Sequence, residues 1–86
     1  MAELDLLYFG RLRDDLGRDR EQIDPPSHVL TVEDLIGWLS DRGEPYASAF
    51  AAPDTIRAAV DRERAGPADS MFGAREVALF PPMGAL

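Results

Sequence analysis

The 86-residue chain contains no cysteine. Disulfide staples, thiolate metal sites and a Cys nucleophile are excluded together. Lysine is absent as well: all nine basic residues are arginine, so no side-chain amine is present for Schiff-base chemistry. The one histidine, His28, stands in the loop Pro26-Ser27-His28-Val29. With no second His or Cys to join it, it reads as a solvated loop residue, and no metal site is expected. No glycine-rich phosphate loop follows a strand. No apolar run approaches the roughly 20 residues of a membrane span. The start Met1-Ala2-Glu3-Leu4-Asp5 carries acids where a signal peptide is basic. The expectation is a cytoplasmic protein without membrane contact.

What is present is an ordinary globular composition, with 45% hydrophobic and 29% charged residues. The length suits one small domain. The formal charge is −7, which repels phosphate backbones and argues against nucleic acid as a partner. A basic or neutral protein surface is the expected counterpart. The acids are scattered among arginines. Asp14-Asp15 and Glu33-Asp34 are the close pairs, and both read as helix-start charge rather than as a catalytic dyad. By elimination the chain carries no enzyme active site of its own.

Hydrophobic spacing predicts the elements. Leu4, Leu6 and Tyr8 alternate on one face of a strand over 4–9, with Leu7 and Phe9 on the other. Leu7 and Phe9 either pack under loops or face a partner. Arg11 to Leu16 is a helical turn or loop between Gly10 and Gly17. A weaker strand spans Arg20 to Asp24, ended by Pro25-Pro26, and pairs with the first as a hairpin. The clearest helix is Thr31 to Arg42, with Thr31 as N-cap and Val32, Leu35, Ile36 and Leu39 as its buried stripe. Gly37 costs it about 1 kcal/mol relative to Ala, and Gly43 stops it. Trp38 reads as packing. Pro45 to Ala52 is a short second helix with Tyr46 and Phe50 four apart, broken by Pro53-Asp54. Ile56 to Val60 is a third strand, Gly66-Pro67 a turn, and Met71-Phe72 tuck under the sheet. Glu76 to Phe80 is the last strand. Strand, strand, helix, short helix, strand, strand makes an α+β two-layer domain. One such arrangement is the β-grasp, with first and last strands side by side at the centre.

The tail is unusual. In Glu76-Val77-Ala78-Leu79-Phe80, alternation buries Val77 and Leu79 and turns Ala78 and Phe80 toward solvent or a partner. Pro81-Pro82 cannot continue a hydrogen-bonded strand, so residues 81–86 leave residues 1–80 as an extended arm. Six extended residues reach roughly 20 Å, enough to enter another protein's cleft.

Here the chain resembles the MoaD/ThiS sulfur-carrier family, closest to its molybdopterin-synthase small-subunit branch. "LLYFGRLRDDLG" is similar to that family's opening strand and loop, "TVEDLIGWL" to its main helix, "IRAAVDR" to its third strand and "REVALFPPM" to its last strand and arm. The resemblance implies a ubiquitin-like β-grasp that binds no cofactor itself. It implies that an E1-like partner uses ATP to adenylate the C-terminal carboxylate, here that of Leu86, before conversion to a thiocarboxylate. The arm, with Phe80, Pro81, Pro82, Met83, Gly84 and Ala85 and flanked by Leu7 and Phe9, would then enter the large subunit of molybdopterin synthase. Sulfur passes there to cyclic pyranopterin monophosphate in molybdenum cofactor biosynthesis, and the assembled sulfurtransferase is a heterotetramer. The absence of cysteine fits, since no persulfide can form on this chain.

Family members finish F-P-P-φ-[ST]-G-G, where φ is apolar. This chain has Met83-Gly84-Ala85-Leu86 after its two prolines, so Ala85 and Leu86 stand at the Gly-Gly positions. A terminal residue without Cβ lets the backbone lie close to a nucleotide in a narrow channel. A leucine side chain beside the reacting carbonyl hinders that approach. The terminus is altered on an ordinary carrier, or partner enzymes accept it, or the chain is a non-transferring ubiquitin-like interaction module.

Overall fold

In a computed structural model the described residues are 3–81. Strand β1 (Leu4–Tyr8) leads through helix α1 (Gly10–Leu16) to β2 (Arg20–Ile23). Helices α2 (Val32–Ser40) and α3 (Tyr46–Ala49) follow, then a 3-10 turn at Pro53–Thr55, β3 (Arg57–Val60), β4 (Glu63–Ala65) and β5 (Glu76–Phe80). The strands form one mixed sheet in the order β2-β1-β5-β3-β4. The β1–β5 pair is parallel, and the other three pairs are antiparallel. The last strand therefore occupies the middle of the sheet beside the first, as the β-grasp expectation required.

Alternation assigns the two faces. Leu4, Leu6, Tyr8, Val77, Leu79 and Ala58 point inward to a core completed by Leu12, Leu16, Val32, Leu35, Ile36, Leu39, Tyr46 and Phe50 from the helical layer. Helix α2 begins where its sequence predicts. Thr31 and Asp34 form a reciprocal capping box, each side chain accepting from the other's backbone N–H. The N–H groups of Leu30 and Thr31 hold the Asp34 carboxyl below its ordinary range. The next orphan amides are met by the loop ahead of β5: Val32 N–H donates to Asp69 O at 3.1 Å and Glu33 N–H to Pro67 O at 2.8 Å.

Four expectations need correction. Strand β4 was not anticipated. Its two-residue turn, Asp61-Arg62, has φ of 49° and 74°, the left-handed geometry of a type I′ hairpin usually signalled by glycine. Asp61 is held there because its Oδ1 accepts from the N–H groups of Arg75 (2.9 Å) and Glu76 (3.0 Å). Phe72 does not tuck under the sheet. It is 92% exposed while Met71 is buried, because the turn closed by Ala74 N–H to Met71 O sends adjacent side chains opposite ways. Asp14-Asp15 do not start a helix: α1 opens four residues earlier, at Gly10, and Asp15 instead sits 3.9 Å from Arg11 one turn back. Pro53-Asp54 break the short helix as expected, but as the start of a 3-10 turn, Pro53–Thr55, and the third strand begins at Arg57 rather than Ile56.

One polar cluster ties the layers together. Glu21 of β2 lies opposite Leu6, on the inner face, with its side chain 9% exposed. Its Oε1 accepts from the hydroxyls of Tyr8 and Tyr46, each at 2.9 Å, and its Oε2 from Arg42 at 2.8 Å. The Arg42 guanidinium also lies over the rings of Tyr46 and Trp38, at 4.4 and 5.5 Å. Burial alone pushes the Glu21 carboxyl up, but the hydrogen bonds from Arg42, Tyr8 and Tyr46 outweigh it and the net direction is down. Burial and the Glu21 carboxylate push both phenols above their ordinary value, Tyr8 the more strongly. The carboxylate is thus a fixed anion, pinning β1, α3 and the end of α2 to β2.

A folded-state value below the unfolded one means this stabilisation is complete above the ordinary glutamate range near 4.3 and is lost as pH falls through the lowered value. Glu21→Gln is expected to cost about 2 kcal/mol at neutral pH, since it leaves Arg42 without its charge partner. It should also flatten the acid limb of stability. Urea denaturation of both proteins between pH 7 and 3 checks this, and parallel curves would contradict it.

Candidate functional site

The arm begins at the tail end of the sheet, where β5 stops and Pro81 follows. Three features fix its root. Pairing with β1 continues past the strand, as Phe9 N–H donates to Leu79 O at 3.1 Å. That places Phe9 beside Phe80, and the rings stack with centroids 4.8 Å apart at 13°. Gly10 comes next, with φ of 57°, and a Cβ on it would stand 2.9 Å from Pro81 Cγ and 3.3 Å from Cδ. Gly10 therefore meets two demands at once, a left-handed backbone and close contact with the arm's first proline. The sequence showed Gly10 only as a bracket around α1. Its part in seating Pro81 becomes visible only when β1 and β5 are neighbours.

The surroundings of this root are apolar. Leu7 is half-buried and lies opposite Ala78 on the outer face. Ala78 is buried yet lies outside the core cluster. Phe9 is 40% exposed, and neither it nor Leu7 joins the core. Phe9 stacks on Phe80, and Leu7 stands in register with Ala78. Phe9, Phe80, Pro81 and Leu7 come together at one end of the sheet. Pro82, Met83, Gly84, Ala85 and Leu86, also expected to engage a partner or carry the chemistry, lie outside the described residues.

Nothing else in the described residues assembles a reaction centre. His28 is exposed. No group of three or more His, Cys, Asp or Glu residues among those described could hold a metal ion. No helix among them is long and apolar enough to cross a membrane. The Glu21 cluster was not foreseen, and every oxygen of its carboxylate already accepts a hydrogen bond. A carboxylate held ionised by three donors has no capacity as a general acid. Among the described residues the site is an apolar surface of Leu7, Phe9, Phe80 and Pro81 beside the end of β5.

Adding a methyl group at Gly10 should displace Pro81 and strain the left-handed backbone. Gly10→Ala is expected to lose about 1–2 kcal/mol of stability. Thermal denaturation measures that loss, and an unchanged melting temperature would contradict the contact.

Comparison with known proteins follows this geometry. The sequence profile of the ThiS family matches residues 6–84. Among solved structures, a Pyrococcus furiosus protein provisionally named molybdopterin converting factor, subunit 1, superposes with a TM-score of 0.70 at 22% identity, covering 96% of this chain and 100% of that one. SAMP1 from Haloferax volcanii gives 0.70 at 21% identity, over 95% and 97% of the two chains. A second structure of that small archaeal modifier protein 1 gives 0.66 at 23%, over 96% and 100%. None of the curated proteins compared matches the chain. The chain belongs to the ThiS family and has the ubiquitin-like β-grasp fold.

Proposed function

We propose that this chain is the sulfur-carrier subunit of a molybdopterin synthase, working in the cytoplasm. The observation that carries the reading is the root of the arm: a central strand of a ThiS-family chain ends in Phe80, stacked on Phe9, and runs directly into Pro81, which lies against Gly10. A root of this kind gives the residues beyond it a fixed point of departure, which reduces the ordering entropy of insertion into a cleft.

In this reading an E1-like enzyme uses ATP to adenylate the carboxylate of Leu86, releasing pyrophosphate. A sulfur nucleophile then displaces AMP and leaves a thiocarboxylate. The large synthase subunit receives the arm and passes the sulfur to cyclic pyranopterin monophosphate. This chain supplies no acid, base or metal to those steps. Its share is to present the terminal group and to dock through Phe80, Pro81, Leu7 and Phe9, with residues 82–85 lining the partner's channel.

A second reading has its own observation. Ala85 and Leu86 occupy the positions of the family's paired glycines, and a Cβ beside the reacting carbonyl obstructs the close approach that glycine permits. On this account the chain is a ubiquitin-like interaction module that binds without transferring sulfur. The likeness to structures of an archaeal modifier protein is compatible with it.

One experiment separates the readings. The chain is incubated with its organism's E1-like enzyme, ATP and a sulfur donor, and intact mass is recorded. A carrier exchanges one terminal oxygen for sulfur. No exchange by this chain, with exchange by the variant carrying Ala85→Gly and Leu86→Gly, identifies a carrier fold with an obstructed terminus. No exchange by either contradicts the carrier reading.

A further inference from the structure

The part of the outer face nearest the arm's root bears arginines, although the whole chain is acidic. Register places Arg20, Leu7, Ala78, Ala59 and Arg64 in one row across the five strands. In the next row toward the arm, Arg57 lies opposite Phe80. Directly opposed residues share a face, so an apolar strip runs across the middle with arginines at both edges. Arg57, Arg64, Ala59 and Phe80 line one open depression of about 540 Å³ beside the arm's root. Asp54 is the one carboxylate lining it. Arg20 has Asp5 at 3.9 Å. Among the described residues, ion pairs within 4.0 Å involve neither Arg57 nor Arg64. The acids of this face, Asp5 and Glu76, sit together in the row farthest from the arm.

The chain's net charge of −7 favours a basic counterpart at long range, but contact is decided locally. At physiological ionic strength charges more than about 8 Å apart are largely screened. A surface approaching the arm's root therefore meets the arginines first. Guanidinium groups present planar forks of N–H donors that fit carboxylates two bonds at a time. Their aliphatic stems extend the apolar strip they border.

We propose that this face docks on a protein surface that rings an apolar patch with carboxylates, and that Arg57 and Arg64 orient the chain there as its arm enters the cleft. The assignment rests on the carrier reading above, and it reverses at the contact surface the partner charge that composition indicates.

The test uses the large subunit of molybdopterin synthase from the same organism as probe. Its binding to the full chain is followed by surface plasmon resonance at low and physiological salt. The variants are Arg57→Glu with Arg64→Glu, the milder Arg57→Gln with Arg64→Gln, and Arg64→Glu alone. Arg75→Glu, at the opposite end of the sheet, makes the same change in net charge as Arg64→Glu. The double reversal is expected to weaken binding about tenfold or more, chiefly through slower association, and to flatten the salt dependence. The glutamine pair should fall between it and the wild type, and Arg75→Glu should stay within about twofold of the wild type. Equal effects of Arg64→Glu and Arg75→Glu overturn the inference while leaving the carrier reading intact. Self-association of the wild type through this face, abolished by the double reversal in sedimentation velocity, overturns it in favour of a second copy as occupant. Absence of any wild-type binding removes the carrier reading as well.

Discussion

The parallel pairing of β1 with β5 is the constraint from which the remaining structure follows. It brings residues more than seventy positions apart into register, Leu6 with Val77 and Tyr8 with Leu79. The final strand is thereby enclosed between β1 and β3, and its inward residues Val77 and Leu79 are fully buried. A strand so placed cannot shift by one residue without turning its apolar set to solvent. Continuation of the ladder to Phe9 builds the stacked pair, and the glycine after Phe9 admits the proline after Phe80. The apolar surface at the end of β5 is thus a product of strand order rather than of a separate loop.

The sheet divides its work between faces. The inner face supplies the hydrophobic term, and its one charged member, Glu21, is held by Arg42 and two phenols that fix the helical layer in place. Among the described residues, the helices pack on the inner face. Leu7, Ala78 and Ala59 make the middle row of the outer face, with Arg20 and Arg64 on the two edge strands.

Much of this was legible in the sequence. Strand β5 was read with its observed bounds, because Pro81 ends a strand without ambiguity. Helix α2 was read with its cap and all four buried residues, because the capping signal and the 3.6-residue stripe agree. The grease on both sides of β1 marked a strand that is interior to its sheet, and the family resemblance was confirmed. What escaped was information that lives in tertiary contact. Strand β4 is short and polar, and its Asp61-Arg62 turn lacks glycine, the compensation coming from amides fourteen and fifteen residues away. Glu21 looked like a surface acid since its donors are dispersed at positions 8, 42 and 46. Phe72 was misassigned because hydrophobicity alone does not report which side of a tight turn a residue occupies. Net charge pointed to a basic partner, and only the strand register gathers three arginines on one face.

The central claim is that Phe80, stacked on Phe9 at the base of the arm, is an anchor for a partner protein rather than a core residue left partly uncovered. Calorimetric titration of Phe80→Ala against the large subunit of molybdopterin synthase tests it most directly. The account predicts a loss of more than about 1 kcal/mol in binding, as for a buried interface aromatic, with the fold retained by circular dichroism. A dissociation constant equal to that of the unaltered chain would contradict it.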